Sequence, residues 1–156
     1  MDKYTRDIAQ GNLFKDELFI IPENPSIELS GGYTFPLLFI LNHHNPEPIN
    51  EQDITFIQSI LKQIPNTDPI DLAQIGILNL GGKDVSILQI IQKYKPEHLI
   101  TWGDMTGLKG VEKSILTPLF LGNIGCIHCP EIGAIKENKE QKILLWHSMK
   151  AVFNII

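Results

Sequence analysis

The chain has 156 residues, of which 43% are hydrophobic and 20% charged, which is typical of one globular domain and excludes a disordered or fibrous protein. Its formal net charge is −5, with acidic and basic residues interspersed and without the basic stripe of a nucleic-acid-binding protein. The apolar run FPLLFIL is too short to span a membrane, and MDKYTRDIAQ has no signal-peptide core. We therefore expect a single-domain cytoplasmic protein without membrane association or direct nucleic-acid binding.

The elements become regular from Thr34 onward, so we divide the domain into a less regular N-terminal segment, 1–33, and a core, 34–156. The run TFPLLFILN is almost continuously apolar, as expected of a strand that is covered on both faces. The next stretch, NEQDITFIQSILKQIP, has the apolar spacing of a helix, with Asn50 as its N-cap and Pro65 as its stop.

The same alternation then repeats. AQIGILNL predicts a second buried strand, Gly81 and Gly82 a turn, and DVSILQIIQKYK a helix with Val85, Leu88 and Ile91 facing inward. EHLITWG predicts a third strand, which is followed by a polar, glycine-rich connection.

The C-terminal third predicts a strand pair and a long helix. The strand pair lies in SILTPLFLGNIGCIHCP and turns at residues 122–123, and the helix begins after Asn138. Its inward face is predicted to contain Ile143, Trp146, Met149 and Phe153. Strands that alternate with helices indicate an α/β fold, namely a three-layer α/β/α sandwich with a mainly parallel central sheet of about four strands.

Polar side chains cluster where the predicted strands end, and open α/β sheets bind ligands at that edge. The candidates are Asn42, His43, His44 and Asn45 after the first strand, Asp104 after the third, and His128 and Cys129 at the end of the last.

His43, Cys126, His128 and Cys129 have the residue types of a zinc site. However, alternation along a strand directs Cys126 and His128 to one face and Cys129 to the other. Cys129 also lacks an evident glycine turn that would donate to an oxyanion. We therefore interpret the cysteines as small buried apolar residues beside a histidine, and we predict no metal and no cofactor.

The order and spacing of several segments resemble the psi subunit of bacterial DNA polymerase III, a clamp-loader accessory protein. The similarity covers roughly residues 35–153 and rests on PLLFILN, FIQSIL, IGILNL, HLITWG and CPEIGAIKENKEQKILLWHSMKAVF. In the family, a serine-proline-leucine type motif follows the last strand, and the C-terminal helix carries a leucine-tryptophan pair. Here the corresponding residues are Cys129-Pro130-Glu131-Ile132 and Leu145-Trp146.

The psi fold is similar to that of uracil-DNA glycosylases, so the resemblance implies a glycosylase-like fold. Those enzymes carry an Asp-Pro loop after the first core strand and a His-Pro-Ser loop after the last, where this chain has NHHNPEP and IHCPEIG. Asn45 and His128 could imitate two of the catalytic groups, but the aspartate and an aromatic stacking residue are missing. A nucleobase hydrolase that uses Asn45 and His128 is the alternative function.

The psi resemblance implies a non-catalytic adaptor that joins the clamp-loader ATPase subunits to a chi-like subunit. In the family, an aromatic anchor in the N-terminal segment docks on the ATPase subunits. Phe14 and Phe19, within GNLFKDELFIIP, are the candidates for that anchor, since an apolar side chain in a pocket is a common binding hot spot. The alternative is that both phenylalanines pack on the domain's own core.

Overall fold

A computed structural model describes residues 27–43, 49–66 and 68–155. Within this part the strands are β1 (Leu29–Ser30), β2 (Leu37–Leu41), β3 (Gly76–Asn79), β4 (Val85–Ser86), β5 (His98–Trp102), β6 (Leu108–Lys109), β7 (Leu119–Leu121) and β8 (Ile124–Cys129). The helices are α1 (Glu51–Leu61), α2 (Ile87–Tyr94), α3 (Ile132–Lys136) and α4 (Lys139–Phe153), and a 3-10 turn covers Leu72–Gln74.

The central sheet has six strands in the order β1-β3-β2-β5-β8-β7. Its four middle strands, β3, β2, β5 and β8, are parallel to one another, whereas β1 and β7 add to the two edges in antiparallel orientation. A separate parallel pair joins β4 to β6. The sheet is therefore mixed and wider than the expected four strands, and the protein is of the mixed α/β class.

The middle of the sheet is covered by apolar side chains on both faces. All five residues of β2 are buried and alternate between two apolar clusters. Leu37 and Phe39 belong to the cluster that contains residues of α1, α3 and α4, whereas Leu38 and Ile40 belong to the one that contains residues of α2. This two-sided burial explains why the sequence of β2 shows no polar alternation.

Helix α1 forms where the sequence predicts it. The Asn50 side chain accepts a hydrogen bond from the Asp53 N–H at 2.8 Å, and it thereby satisfies one of the unpaired amides of the first turn. Ile57, Ile60 and Leu61 are buried along its inner face.

The predicted inward face of α2 is right in part: Val85 is buried and Ile91 packs against the apolar cluster, whereas Leu88 is exposed. Val85 precedes the helix, because it belongs to β4 and pairs with Leu108 of β6. The helix begins at Ile87 after the Ser86 cap, and Ile87 and Ile90 are its buried residues. Leu88 is 62% exposed, because it lies on the side of the helix that points away from the buried Ile90.

Helix α4 is capped as expected, since Asn138 accepts a hydrogen bond from the Gln141 N–H at 3.0 Å. Its buried residues are Leu145, Ser148, Met149, Val152 and Phe153. The inward assignments of Met149 and Phe153 are therefore confirmed, Trp146 is partly buried, and Ile143, at 48% exposed, was assigned wrongly.

The connection from β5 to β7, residues 103–118, contains the short strand β6 but no helix. It is hydrogen-bonded to the end of β8, because the Leu116 N–H donates to the His128 carbonyl at 2.7 Å. The buried Ser148 hydroxyl of α4 donates to the Leu116 carbonyl at 2.8 Å. The connection therefore covers the end of the sheet. In the described ranges, none of the helices has the length and apolar character needed to traverse a bilayer.

Candidate functional site: a cleft at the carboxyl ends of the strands

The order of the parallel strands locates a crevice between β2 and β5. The chain passes from β2 to β3 on one side of the sheet and then crosses to β5 on the other side of β2. Loops leave two such neighbouring strands in opposite directions, and the gap at their carboxyl ends is the usual ligand position in open α/β sheets.

Asn42, directly after β2, closes the base of this crevice. Its amide nitrogen donates to the Asp104 carbonyl at 3.0 Å, and its amide oxygen accepts from the Gly82 N–H at 2.7 Å. Both ends of the side chain are therefore engaged with backbone groups of neighbouring loops. Asn42 holds three strand ends together, which is a positioning role.

Asn79 makes a similar link between β3 and the residue after Asn42. Its amide oxygen accepts from the His43 N–H at 2.8 Å, and its amide nitrogen donates to the His43 carbonyl at 3.1 Å. The side chain thus continues the pairing of β2 with β3 by one residue. The His43 backbone is fixed in place, while the residue itself is exposed.

Beside the crevice lies a cleft of about 520 Å³, here called the strand-end cleft. Its walls come from the 103–118 connection, and its floor comes from β8. The lining residues are Gly103, Asp104, Met105, Thr106, Lys109, Lys113, Ile115 and His128. This volume lies within the ~300–1,000 Å³ that small-molecule sites occupy.

His128, the penultimate residue of β8, is only 3% exposed. Its Nδ1 lies 2.7 Å from the Thr101 hydroxyl oxygen on β5, whereas its Nε2 has no hydrogen-bond partner among the described residues. Burial lowers the pKa of the imidazole, the Glu112 carbonyl opposes this effect, and the charge of Lys113 adds to it. The ring is therefore neutral at pH 7, and the Glu112 carbonyl lies near it without forming a hydrogen bond of normal geometry to Nε2.

The charged groups of the cleft are Asp104, Lys109 and Lys113. Asp104 Oδ1 accepts hydrogen bonds from the Thr106 hydroxyl and from the Thr106 N–H, the latter at 3.0 Å. These bonds, with a smaller contribution from the charge of Lys113, hold the pKa of the carboxyl below its ordinary value. Within the described ranges neither lysine makes a salt bridge, in contrast to Lys136, which contacts Asp53 at 2.8 Å.

The residues considered as zinc ligands are not brought together. Cys126 belongs to the apolar cluster of α2, and Cys129 to the cluster on the other face of the sheet. In the described part of the chain, no three histidine, cysteine or acidic side chains assemble as metal ligands. Burial raises the pKa of the Cys126 thiol to about 12 and that of Cys129 further, so both are protonated thiols at neutral pH.

The other predicted site residues, Phe14, Phe19, His44 and Asn45, lie outside the described residues. The site residues that sequence reasoning missed are Thr101, Lys109 and Lys113. Thr101 lies within an apolar strand. The feature that could have revealed it is a hydroxyl side chain in the otherwise apolar run LITW. The spacing of the two lysines in the sequence does not indicate a binding site, because the path of the 103–118 connection brings them to the cleft.

A second concave surface lies between α1 and α4 and is here called the helix groove. It has a volume of about 260 Å³, and its lining is mainly apolar. The lining residues are Phe56, Ser59, Ile60, Gln63, Lys142, Leu145, Trp146 and Met149. Trp146 belongs to the leucine-tryptophan pair on which the psi resemblance rests.

Comparison with protein-family models and with curated proteins finds no match for this chain.

Proposed function

We propose that this protein is a non-catalytic adaptor of the DNA polymerase III psi type, which joins clamp-loader ATPase subunits to an accessory subunit of the chi type. We further propose that its fold is a glycosylase-like three-layer α/β/α sandwich. The apolar clusters on the two faces of the sheet support this arrangement, because α1, α3 and α4 contribute to one and α2 to the other.

The observation that carries the adaptor proposal is the apolar helix groove beside an exposed apolar residue. Trp146 lines the groove while remaining partly exposed, and Ile143, one helical turn before it, is 48% exposed. Residues three apart on a helix are surface neighbours, so the two side chains form one apolar surface. A half-covered tryptophan beside an exposed isoleucine is typical of a protein-binding hot spot.

The charge at this surface indicates the chemistry of the partner. Lys139, Glu140 and Lys142 precede Ile143 on α4 and are exposed, which gives an excess of one positive charge, and neither lysine makes a salt bridge with another described residue. Aspartate and glutamate in a partner would complement these lysines, which favours fast and specific association. The partner segment is therefore an apolar side chain with acidic neighbours.

Binding of the full-length chain to purified clamp-loader ATPase subunits and chi from the same organism tests the proposal. We expect Ile143→Glu to weaken binding to one of these partners at least about tenfold, because it places a carboxylate on the apolar surface. Leu88→Glu is the matched control, since Leu88 is also exposed but lies on α2, which packs on the opposite face of the sheet. Equal losses in both variants, or no binding by the unmodified chain, would overturn the adaptor proposal.

The N-terminal anchor is tested separately in the full-length chain. Phe14→Ala combined with Phe19→Ala should weaken binding to the ATPase subunits and leave the chi contact unchanged. Loss of both contacts together with a lower unfolding midpoint would instead indicate that the two phenylalanines stabilise the domain.

The second candidate function is a nucleobase hydrolase that uses Asn45 and His128. It is favoured by one observation, the unpartnered Nε2 of His128 at the strand-end cleft. Release of free uracil from a uracil-containing oligonucleotide tests it. Release by the unmodified protein that is lost in His128→Asn would support the hydrolase over the adaptor.

A further inference from the structure

We propose that the strand-end cleft is a binding site for a small organic phosphate, independent of the adaptor function. Three features of the cleft converge on this class of ligand: two lysines without salt bridges, a buried histidine nitrogen without a partner, and an apolar wall.

The lysines supply the positive charge. Lys109 and Lys113 line the cleft and are exposed, and no carboxylate of the described residues forms a salt bridge with either one. The cleft's own carboxylate, Asp104, uses Oδ1 to accept two hydrogen bonds from Thr106. With two lysines and one aspartate, the lining has an excess of one positive charge, although the whole chain is acidic. Lysine is a common point-charge ligand of phosphate.

His128 supplies a directional contact at the floor of the cleft. Thr101 occupies Nδ1, so the ring orientation is fixed by a neighbouring strand and not by the ligand. A buried polar atom without a partner is uncommon in folded proteins and calls for an explanation. An oxygen of a bound phosphate would provide the missing partner, with the neutral ring donating from a protonated Nε2.

Met105 and Ile115 indicate that the ligand is an organic phosphate rather than inorganic phosphate. Met105 is 4% exposed, whereas Ile115 is 51% exposed, which is unusual for an aliphatic side chain beside a concave surface. An apolar part of the ligand would cover Ile115 and remove its side chain from water. The predicted ligand therefore has a phosphate monoester at one end and an apolar or planar group at the other.

Calorimetric titration of the full-length protein tests this site with four probes: adenosine monophosphate, ribose 5-phosphate, adenosine and inorganic phosphate. We expect adenosine monophosphate to bind more tightly than inorganic phosphate, and adenosine to bind weakest. Ribose 5-phosphate distinguishes a sugar phosphate from a nucleotide as the ligand. An affinity equal to that for adenosine monophosphate would indicate a sugar phosphate. Absence of saturable binding by both organic phosphates at millimolar concentration would overturn the proposal.

Charge-removing variants locate the binding. Lys109→Gln and Lys113→Gln should each weaken adenosine monophosphate binding about tenfold, the size expected for a charged hydrogen bond. Lys62→Gln removes the same charge from an exposed position at the end of α1, outside the cleft, and should leave the affinity unchanged. Equal losses in all three variants would mean that the anion is attracted by overall charge, and the site would be refuted.

The histidine contact has its own readout in the unmodified protein. Long-range ¹H–¹⁵N spectra should show the Nε2 signal of His128 shifting on addition of adenosine monophosphate. His98 is the internal control, because its Nδ1 is also buried without a partner, but its ring lies against Phe153 and outside the cleft. Binding that leaves His128 unmoved, or that shifts both rings alike, would contradict the placement of the ligand in this cleft.

Discussion

Thr101 and His128 face each other across the neighbouring parallel strands β5 and β8, with the hydroxyl oxygen 2.7 Å from Nδ1. Both residues are buried, at 2% and 3% exposure, on a sheet face whose other residues are largely apolar. The strand register places them directly opposite each other, so the pair satisfies two polar groups that water does not reach.

Thr101→Val should therefore destabilise the fold. The replacement keeps the shape of the side chain but leaves Nδ1 of His128 without its partner, which costs about 1–3 kcal/mol in the free energy of unfolding. Urea denaturation measures this change. Thr117→Val is the control, because Thr117 is exposed and its hydroxyl donates only to the Ile115 carbonyl at 3.2 Å. Equal stability of the two variants would show that the pair contributes little.

Gly103→Ala should also destabilise the protein. Gly103 has a φ of +90°, which side-chain-bearing residues rarely adopt, and an added Cβ would meet the Glu131 carboxylate. The backbone strain alone corresponds to about 1–3 kcal/mol in the free energy of unfolding. Removing the carboxylate with Glu131→Ala should restore only a minor part of the loss, because the conformation of the backbone remains unfavourable.

Gly133→Ala provides the matched control for Gly103. Gly133 lies in helix α3 and has open space where its Cβ would be. Alanine has the higher helix propensity, so this variant should be unchanged or more stable by up to about 1 kcal/mol. A loss at Gly133 as large as that at Gly103 would refute the explanation from backbone conformation.

The two cysteines should be unreactive in the folded protein. Cys126 and Cys129 are 2% and 0% exposed, and burial raises the pKa of both thiols, so the reactive thiolate is scarce at pH 8. Labelling with iodoacetamide should proceed slowly in buffer and rapidly in about 6 M guanidinium. This concentration exceeds the unfolding midpoint of about 5 M, which only hyperstable folds surpass. Fast native labelling of either cysteine would show that the sheet opens locally.

Acidification from about pH 7 to about pH 5 should lower the free energy of unfolding, because burial lowers the pKa values of His98 and His128 in the folded state. Between the folded and unfolded pKa values, the unfolded chain binds protons that the folded chain does not. Stability therefore falls as the pH falls through ~6.5, by at most about 1.4 kcal/mol per pH unit for each ring. Denaturation at several pH values measures the slope.

Two further groups contribute in a different pH range. Hydrogen bonds lower the pKa values of Asp71 and Asp104, so any stabilisation from their ionised forms is present above the unfolded pKa and is lost below about pH 4. A flat stability profile between pH 5 and 7 would contradict the lowered pKa values of the buried His128 and the partly buried His98.

Much of the fold could be predicted from local sequence alone. The continuous apolar run of β2 indicated a strand with both faces covered, and the asparagines before α1 and α4 marked their first turns. The turn between β7 and β8 also lies at the predicted residues, Gly122 and Asn123. These features depend on a residue and its near neighbours, so a single sequence carries them.

Which side of α2 is buried, and which residues line the site, could be established only from the tertiary structure. The pairing of Val85 with Leu108 places Val85 in a strand ahead of α2, and those residues are 23 positions apart in the printed sequence. Likewise, Thr101 meets His128 only because β5 and β8 are neighbours in register, and Lys109 and Lys113 reach His128's cleft only through the 103–118 connection.

The sequence by itself therefore determined the types of the main elements, their caps and the strand-end position of His128. The tertiary structure decided the strand order, the pairing of Thr101 with His128, and the position of the unpartnered Nε2 in a cleft with two lysines. The physical reason is the range of the interactions: hydrophobic periodicity and capping act within a few residues. Strand pairing and burial instead join residues that are distant along the chain, and their partners are set by packing of the whole domain.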